Sequence, residues 1–404
     1  MVLLALPSAY GNIVAVSNVE TTSLSLTGPD SHLLVRKPGW GDVSIGPTGA
    51  RDGAPSLVVN ADDRINWAAF DRFTVPAGYP WPRGIRYEGN DLGFFEWSKR
   101  RQIETFFWTP TRAVDVDARD ARISRLWLTF RSVPMRIVLP RASNGLVDLT
   151  VTGDLALLTV DLAATDECPA LSFYPDTKPS RETRAIRLPT FEALAECRSV
   201  DVYVSPLRQP FDCASLTPFP RVRRVSLSGG MVNLAALADL REIETLRLLY
   251  CPDLSALPPL ATWPNLRTVI ASNIDESAGK RLRAEIRALA KAGRAWEMAG
   301  VTGLRHRDWF DREYGLPFSQ WPARAARAAT AAFRVAAATA EASGAQVDVE
   351  RAIKLFVDVI NGMPYIYTVE REDVAEAVCQ LAGMSPIEVP EDLALMWFDT
   401  AREF

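Results

Sequence analysis

Histidine is nearly missing from this chain: His32 and His306 are the only two in 404 residues. That count alone excludes a multi-histidine metal site, an HExxH zinc helix and any acid–base scheme needing two imidazoles. The five cysteines, at 168, 197, 213, 251 and 379, are odd in number and show no CxxC spacing. Neither a zinc site nor a disulfide framework is expected, and a reducing cytoplasm is the predicted location. Lysine is scarce, six of forty-five basic residues, a bias typical of GC-rich bacterial genomes. No apolar run approaches the roughly 18 residues needed to cross a bilayer. The opening MVLLALPSAY lacks a basic n-region and is cut short by Pro7, so it is not read as a secretion signal. Forty-five basic against forty-nine acidic residues leave a net charge of -4, which argues against a general electrostatic hold on nucleic acid or an anionic membrane.

The short nucleotide and hydrolase motifs are missing too. There is no GxxxxGK[ST]; SAGKRL lies in a predicted helix, and the third glycine of GWGDVSIG comes too late for a dinucleotide fingerprint. GxSxG is absent, and the glycines of SLSGG at 226–230 serve the turn out of a predicted strand. Asp115, Asp117 and Asp120 are read as a solvated loop. No cofactor is implied.

What the chain does have is an echo. In IETLRLLYCPDLSALPPLATWPNLRTV, the apolar residues Ile243, Leu246 and Leu248 return twenty-three residues later as Leu266, Val269 and Ala271. The same offsets occur upstream at Val222/Val225/Leu227, Cys197/Val200/Val202, Cys168/Leu171/Phe173, Leu146/Leu149/Val151, Ile123/Leu126/Leu128 and Ile103/Phe106/Trp108, with Pro82/Ile85/Tyr87 as a marginal ninth. Successive starts are separated by 20 to 29 residues. A composition of 48% hydrophobic and 23% charged residues is that of an ordinary globular chain, and its length calls for several domains or one elongated repeat.

The last repeats add Leu234, Leu237 and Leu240, then Leu254, Leu257 and Leu260, with Cys251 at an Asn/Cys position. Here the chain resembles the leucine-rich-repeat family, closely over about 197–273 and in degenerate form over 82–196. The resemblance implies an α/β solenoid over 82–274, with a parallel sheet on its concave face, because each short strand needs stacked neighbours to bury its apolar side. Residues 1–81 read as short strands (LSLTG, HLLV, DVSI, SLVVN), either a β-rich N-terminal cap or further degenerate repeats. From 275 to 404 the period turns helical, with stops at Gly293, Gly344 and Gly362, a buried stripe Ile353, Phe356, Val357 and Ile360, and Thr368 as a helix cap. This part is read as a helical C-terminal domain. In outline the chain also resembles bacterial effector ubiquitin ligases, but their C-x-D motif is missing at both Cys213 and Cys379.

Side chains alternate along a strand, so residues between the inward positions point into the groove. The candidate partner-binding set is Arg86, Phe107, Arg125, Trp127, Tyr174, Asp201, Tyr203, Arg224 and Arg247. Exposed aromatics and arginines are favoured as interface anchors. Six of the eleven tryptophans fall between 40 and 127, which fits a large aromatic core as well as a binding face. The function expected is a non-catalytic interaction module that binds a protein in an immunity, adaptor or scaffold role. The alternative is an enzyme with a motif-less active site in the helical domain or N-terminal cap.

Overall fold

The computed structural model describes residues 20–36, 41–48, 55–75, 77–130, 133–162, 167–175, 184–205, 207, 209–312, 314–364 and 366–404. Twelve strands join one sheet: β1 (Asp42–Gly46), β2 (Leu57–Val58), β3 (Gly84–Glu88), β4 (Ile103–Thr109), β5 (Ile123–Phe130), β6 (Asp148–Gly153), β7 (Ala170–Pro175), β8 (Ser199–Tyr203), β9 (Arg224–Ser228), β10 (Thr245–Leu249), β11 (Thr268–Asp275) and β12 (Met298–Arg305). From β3 to β12 the spatial order is the chain order, while β1 lies between β3 and β2. Every pair from β2 through β11 is parallel. Among the described residues of 123–273 there is no antiparallel hairpin within this sheet, and the sheet does not close into a barrel.

The repeat offsets coincide with the core. Ile123, Leu126, Leu128, Leu149, Val151, Leu171, Phe173, Val200, Val202, Val225, Leu227, Leu246, Leu248, Val269 and Ala271 are all buried in one continuous cluster. Cys168 alone among the inward positions from 103 onward is only half-buried. The register matches repeat to repeat, with Leu126 beside Leu149 and Leu246 beside Val269. Such stacking lets each strand bury its apolar side against the next one, which no strand of five residues can do alone.

The return segments differ along the array. After residue 190 they carry short 3-10 turns at Glu192–Leu194, Cys213–Leu216, Leu234–Asp239 and Leu260–Thr262, with a two-residue parallel pair at Phe211–Asp212 and Met231–Val232, and Leu234, Leu237, Leu254, Leu257 and Leu260 pack into the core from these segments. Between β4 and β7 they are strands instead: Val114–Asp117, Met135–Val138 and Leu158–Asp161 form a second parallel sheet. Its inward side chains are Val116, Met135, Ile137, Leu158 and Val160. Arg136 on the outer side bonds Asp115 at 3.4 Å and Asp161 at 2.6 Å. Asp115 and Asp117 therefore sit on a strand, not in the solvated loop expected for them, because VDVD alternates with the period of a half-buried sheet. Gly153 and Gly229 leave β6 and β9 with φ of 116° and 106°; a Cβ there would overlap the carbonyl oxygens of Phe130 and Val204.

Toward the N-terminus, Glu20–Leu24 and His32–Arg36 pair as an antiparallel hairpin, while β1 and β2 extend the main sheet. Trp67, Trp81, Trp97 and Trp108 are buried there with Tyr87, Phe94, Phe95 and Phe106, of which Phe94, Phe95 and Trp97 come from helix α1 (Gly93–Arg100), and several pairs meet edge to face at centroid distances of 5.2 to 6.0 Å. The tryptophan-rich segment is thus mainly core. Trp40 lies outside the described residues.

The chain divides into two compact units, Met1–Leu304 and Arg305–Phe404. The sequence reading placed the change at 274/275, thirty residues earlier (304 − 274 = 30). Helix α2 (Glu276–Lys291), capped by the Asp275 carboxylate at 2.9 Å from the Ala278 amide, buries Ala278 and Leu282 in the first unit's core, and β12 adds Val301. A helical period therefore does not by itself mark a new domain. The second unit holds α3 (Arg307–Arg312), and α4 (Ala323–Glu341), α5 (Gln346–Asn361), α6 (Thr368–Met384) and α7 (Glu391–Ala401) surround its own core. Ile353, Phe356, Val357 and Ile360 are buried in it as their spacing predicts. Tyr367, not Thr368, is the N-cap of α6, and its amide donates to Glu370 at 3.1 Å.

Candidate functional site

One face of the main sheet looks into the core, and alternation sends every second side chain of β3 to β10 to the other, open face. All nine candidate residues lie on that face. Arg86, Phe107, Trp127 and Thr150 are register neighbours on β3 to β6. The Arg86 guanidinium stands 4.0 Å above the centre of the Phe107 ring. Phe107 and Trp127 follow at 5.3 Å, Trp127 and Tyr174 at 5.3 Å, and Tyr174 and Tyr203 at 4.6 Å, with interplanar angles of 33°, 29° and 12°. β6 supplies no aromatic; the Trp127 indole leans across it and donates to Thr152 at 2.9 Å. Sequence reasoning missed Thr152, although it is the seventh position of its repeat, as Tyr174 and Tyr203 are of theirs.

Phe107 and Trp127 are half-buried and outside the core, so they belong to the open face and not to the aromatic core beside it. Their stacking decides what they can offer. Rings piled on one another across the strands cover each other's faces and turn their edges to solvent. A sugar ring or a nucleobase needs an aromatic face, and the faces between neighbouring rings of the stack are taken. Ring edges and intervening apolar rims remain, which suits side chains of another protein. Burial pushes the Tyr174 phenol up to about 12, with the neighbouring Tyr203 and Asp201 acting the same way, so it stays neutral.

Beside the stack runs a polar row, Asp201, Ser226 and Arg247, directly in register on β8, β9 and β10. Asp201 Oδ1, Ser226 Oγ and Arg247 Nε are buried and bond to no protein group. Buried polar groups in folded proteins nearly always have partners. Three orphans in adjacent positions of one face are therefore a local feature of that face. Burial raises the Asp201 carboxyl above its ordinary range, opposed by the charges of Arg247 and Arg224. Arg125 closes the near side through an ion pair with Asp148 at 3.4 Å, both ends largely exposed.

Among the described residues no three His, Cys, Asp or Glu side chains converge to hold a metal ion. Cys379 lies on α6 with its thiol pushed up to about 12 by burial and by Glu391. The helical unit carries an open groove of about 720 Å³ between α4 and α5. Its hydroxyls are tied to helix carbonyls, Ser343 to Thr339 at 2.7 Å and Thr339 to Val335 at 3.0 Å, and its acid Asp348 to Arg351 at 3.2 Å. Among the described residues no helix is long and apolar enough to cross a membrane. Comparison of the chain with protein-family models, curated proteins and solved structures gives no match.

Proposed function

We propose that the first compact unit is a leucine-rich-repeat solenoid that binds another protein on the open, concave face of its sheet, as an immunity protein, adaptor or scaffold. The observation that carries this reading is the continuous strip from Arg86 through Phe107, Trp127, Tyr174 and Tyr203, lying against the row Asp201, Ser226 and Arg247, in which Oδ1, Oγ and Nε are buried without a hydrogen bond. An apolar strip with a cationic end and a polar flank has the make-up of a protein interface centre. Peptide groups and polar side chains of a partner would give the orphaned donors and acceptors their hydrogen bonds. A cytoplasmic, bacterial setting accords with the free cysteines and the composition.

A photo-crosslinking amino acid placed at Thr129, beside Thr152 on the open face, should capture a specific protein from the native cell, and Trp127→Ala should abolish that capture without shifting the thermal melt. The same probe at Arg136, on the opposite sheet, should capture nothing. Capture from Arg136 and not from Thr129 would move the interface to the other side of the molecule.

A further inference from the structure

Arginines at the edge where the later strands begin are matched with acids. Arg221 meets Glu242 at 2.8 Å, Arg223 meets Glu244 at 3.4 Å, and Arg267 meets Glu244 and Glu297 at 2.8 Å each. Arg224 and Arg247, on the open face, differ: neither side chain forms an ion pair or a hydrogen bond with the described residues. Arg247 on β10 stands in register with Ser226, and Arg224 lies two residues before Ser226 on β9. Strands about 4.8 Å apart, rising about 3.3 Å per residue, put the two Cα atoms roughly 8 Å from each other. Two arginine side chains at that separation can converge on one point.

The charge at that point is unbalanced. Asp201 flanks Ser226 on the other side and is drawn to both guanidinium groups, yet it closes an ion pair with neither. Asp148, the next acid along the face, is held by Arg125 at 3.4 Å. Two guanidinium charges against one free carboxylate leave an excess of one positive charge. Acceptors are short as well. Arg247 Nε is buried without a bond, and Ser226, on the open face yet wholly buried, leaves its hydroxyl unpartnered. A buried donor left in this state is costly. One added carboxylate would cancel the excess charge and offer two oxygens to the guanidinium donors. A cationic group from a partner would meet Asp201 but double the excess.

We propose that the partner sets an acidic side chain, Asp or Glu, between Arg224 and Arg247, with an apolar residue next to it against Tyr203. Tyr203 is the neighbour on that side, in register with Ser228 on β9. The inference rests on the partner-binding reading and adds the chemistry that the partner carries.

A phage-displayed library of random dodecapeptides, panned against the full chain, is the probe. Retained peptides should be enriched in Asp or Glu beside an aromatic or aliphatic residue. Synthetic copies should bind Arg247→Gln and Arg224→Glu about tenfold or more weakly than wild type, and their affinity should fall as salt rises. Asp201→Asn, which removes a like charge, should bind them more tightly. Arg224 is exposed, so Arg224→Glu tests the charge even where Arg247→Gln does not fold. Panned in the same way, Arg224→Glu should lose the preference for acids. The proposal is overturned if wild type retains no excess of acidic peptides, if Arg224→Glu binds them as well as wild type does, or if Asp201→Asn weakens them. It is also overturned if single-stranded oligothymidylate binds more tightly than any peptide. Acid-free peptides whose binding still needs Trp127 would sink this proposal and leave the partner face standing. Acidic peptides indifferent to Trp127→Ala would uphold the acid site and remove the aromatic strip from the interface.

Discussion

Asp201 is the residue where fold stability and the proposed interface pull in opposite directions. Its carboxyl ordinarily titrates near 3.8, and burial raises that value in the folded chain. Between the two values the folded protein holds a proton that the unfolded chain has lost. Stability therefore falls as pH rises through this window, and the cost is fully present above it. Asp201→Asn removes the charge and keeps the shape. Its denaturation midpoint should exceed that of wild type at pH 7 and match it at about pH 3, below both values. A lower midpoint for the variant at pH 7 would mean that Arg247 and Arg224 more than compensate the burial. Strand alternation in the sequence was enough to put Asp201, Arg247, Trp127 and Tyr203 on one face. It could not show that Trp127 would reach across β6 to Thr152, or that one carboxylate oxygen of Asp201 and the Nε of Arg247 would end up buried without a hydrogen-bond partner, because both depend on how side chains from separate repeats settle together.

At the scale of single elements, the strands were legible because each inward pair sits between polar neighbours and recurs at an almost constant interval. The structure bears out Ile85 and Tyr87 as inward residues of the marginal repeat, both buried. The second sheet was not legible. Its strands are four residues long, and the search was for leucines at spacing three, whereas VDVD, MRIV and LTVD carry the period of two. A scan for alternation in the return segments would have found them. Leu246 on β10 tests the register directly, being fully buried between Val225 and Val269. Leu246→Ala should lower the unfolding free energy by roughly 2 to 5 kcal/mol in denaturant melts. A loss well below 1 kcal/mol would mean that the side chain faces solvent.

For the whole molecule, the informative difference lies in the boundary, read from sequence at 274/275 and drawn by compactness at 304/305. Residues 276–291 look like the start of a helical domain because KRLRAEIRALAK has a helix's period and propensity. Yet a stack of parallel strands leaves its core open at the end, and an amphipathic helix laid beside the strands covers it as well as another strand would. α2 does this with Ala278 and Leu282, and Arg281 donates to the Leu254 and Leu257 carbonyls at 2.8 and 3.0 Å, satisfying the last return segment. The second unit begins only after β12 and has a separate core in which Phe356 packs 6.0 Å from Phe333 and 6.1 Å from Phe318. Separate cores predict separate melting. Phe356→Ala should cost its own unit roughly 3 to 5 kcal/mol, lowering the melting temperature of the helical unit followed by far-ultraviolet dichroism. Amide protection at Leu246 and Val269, measured by hydrogen exchange, should stay as in wild type. Were protection in β10 and β11 to fall together with the helices, the two units would unfold as one cooperative body, and the division at 304/305 would have no thermodynamic meaning.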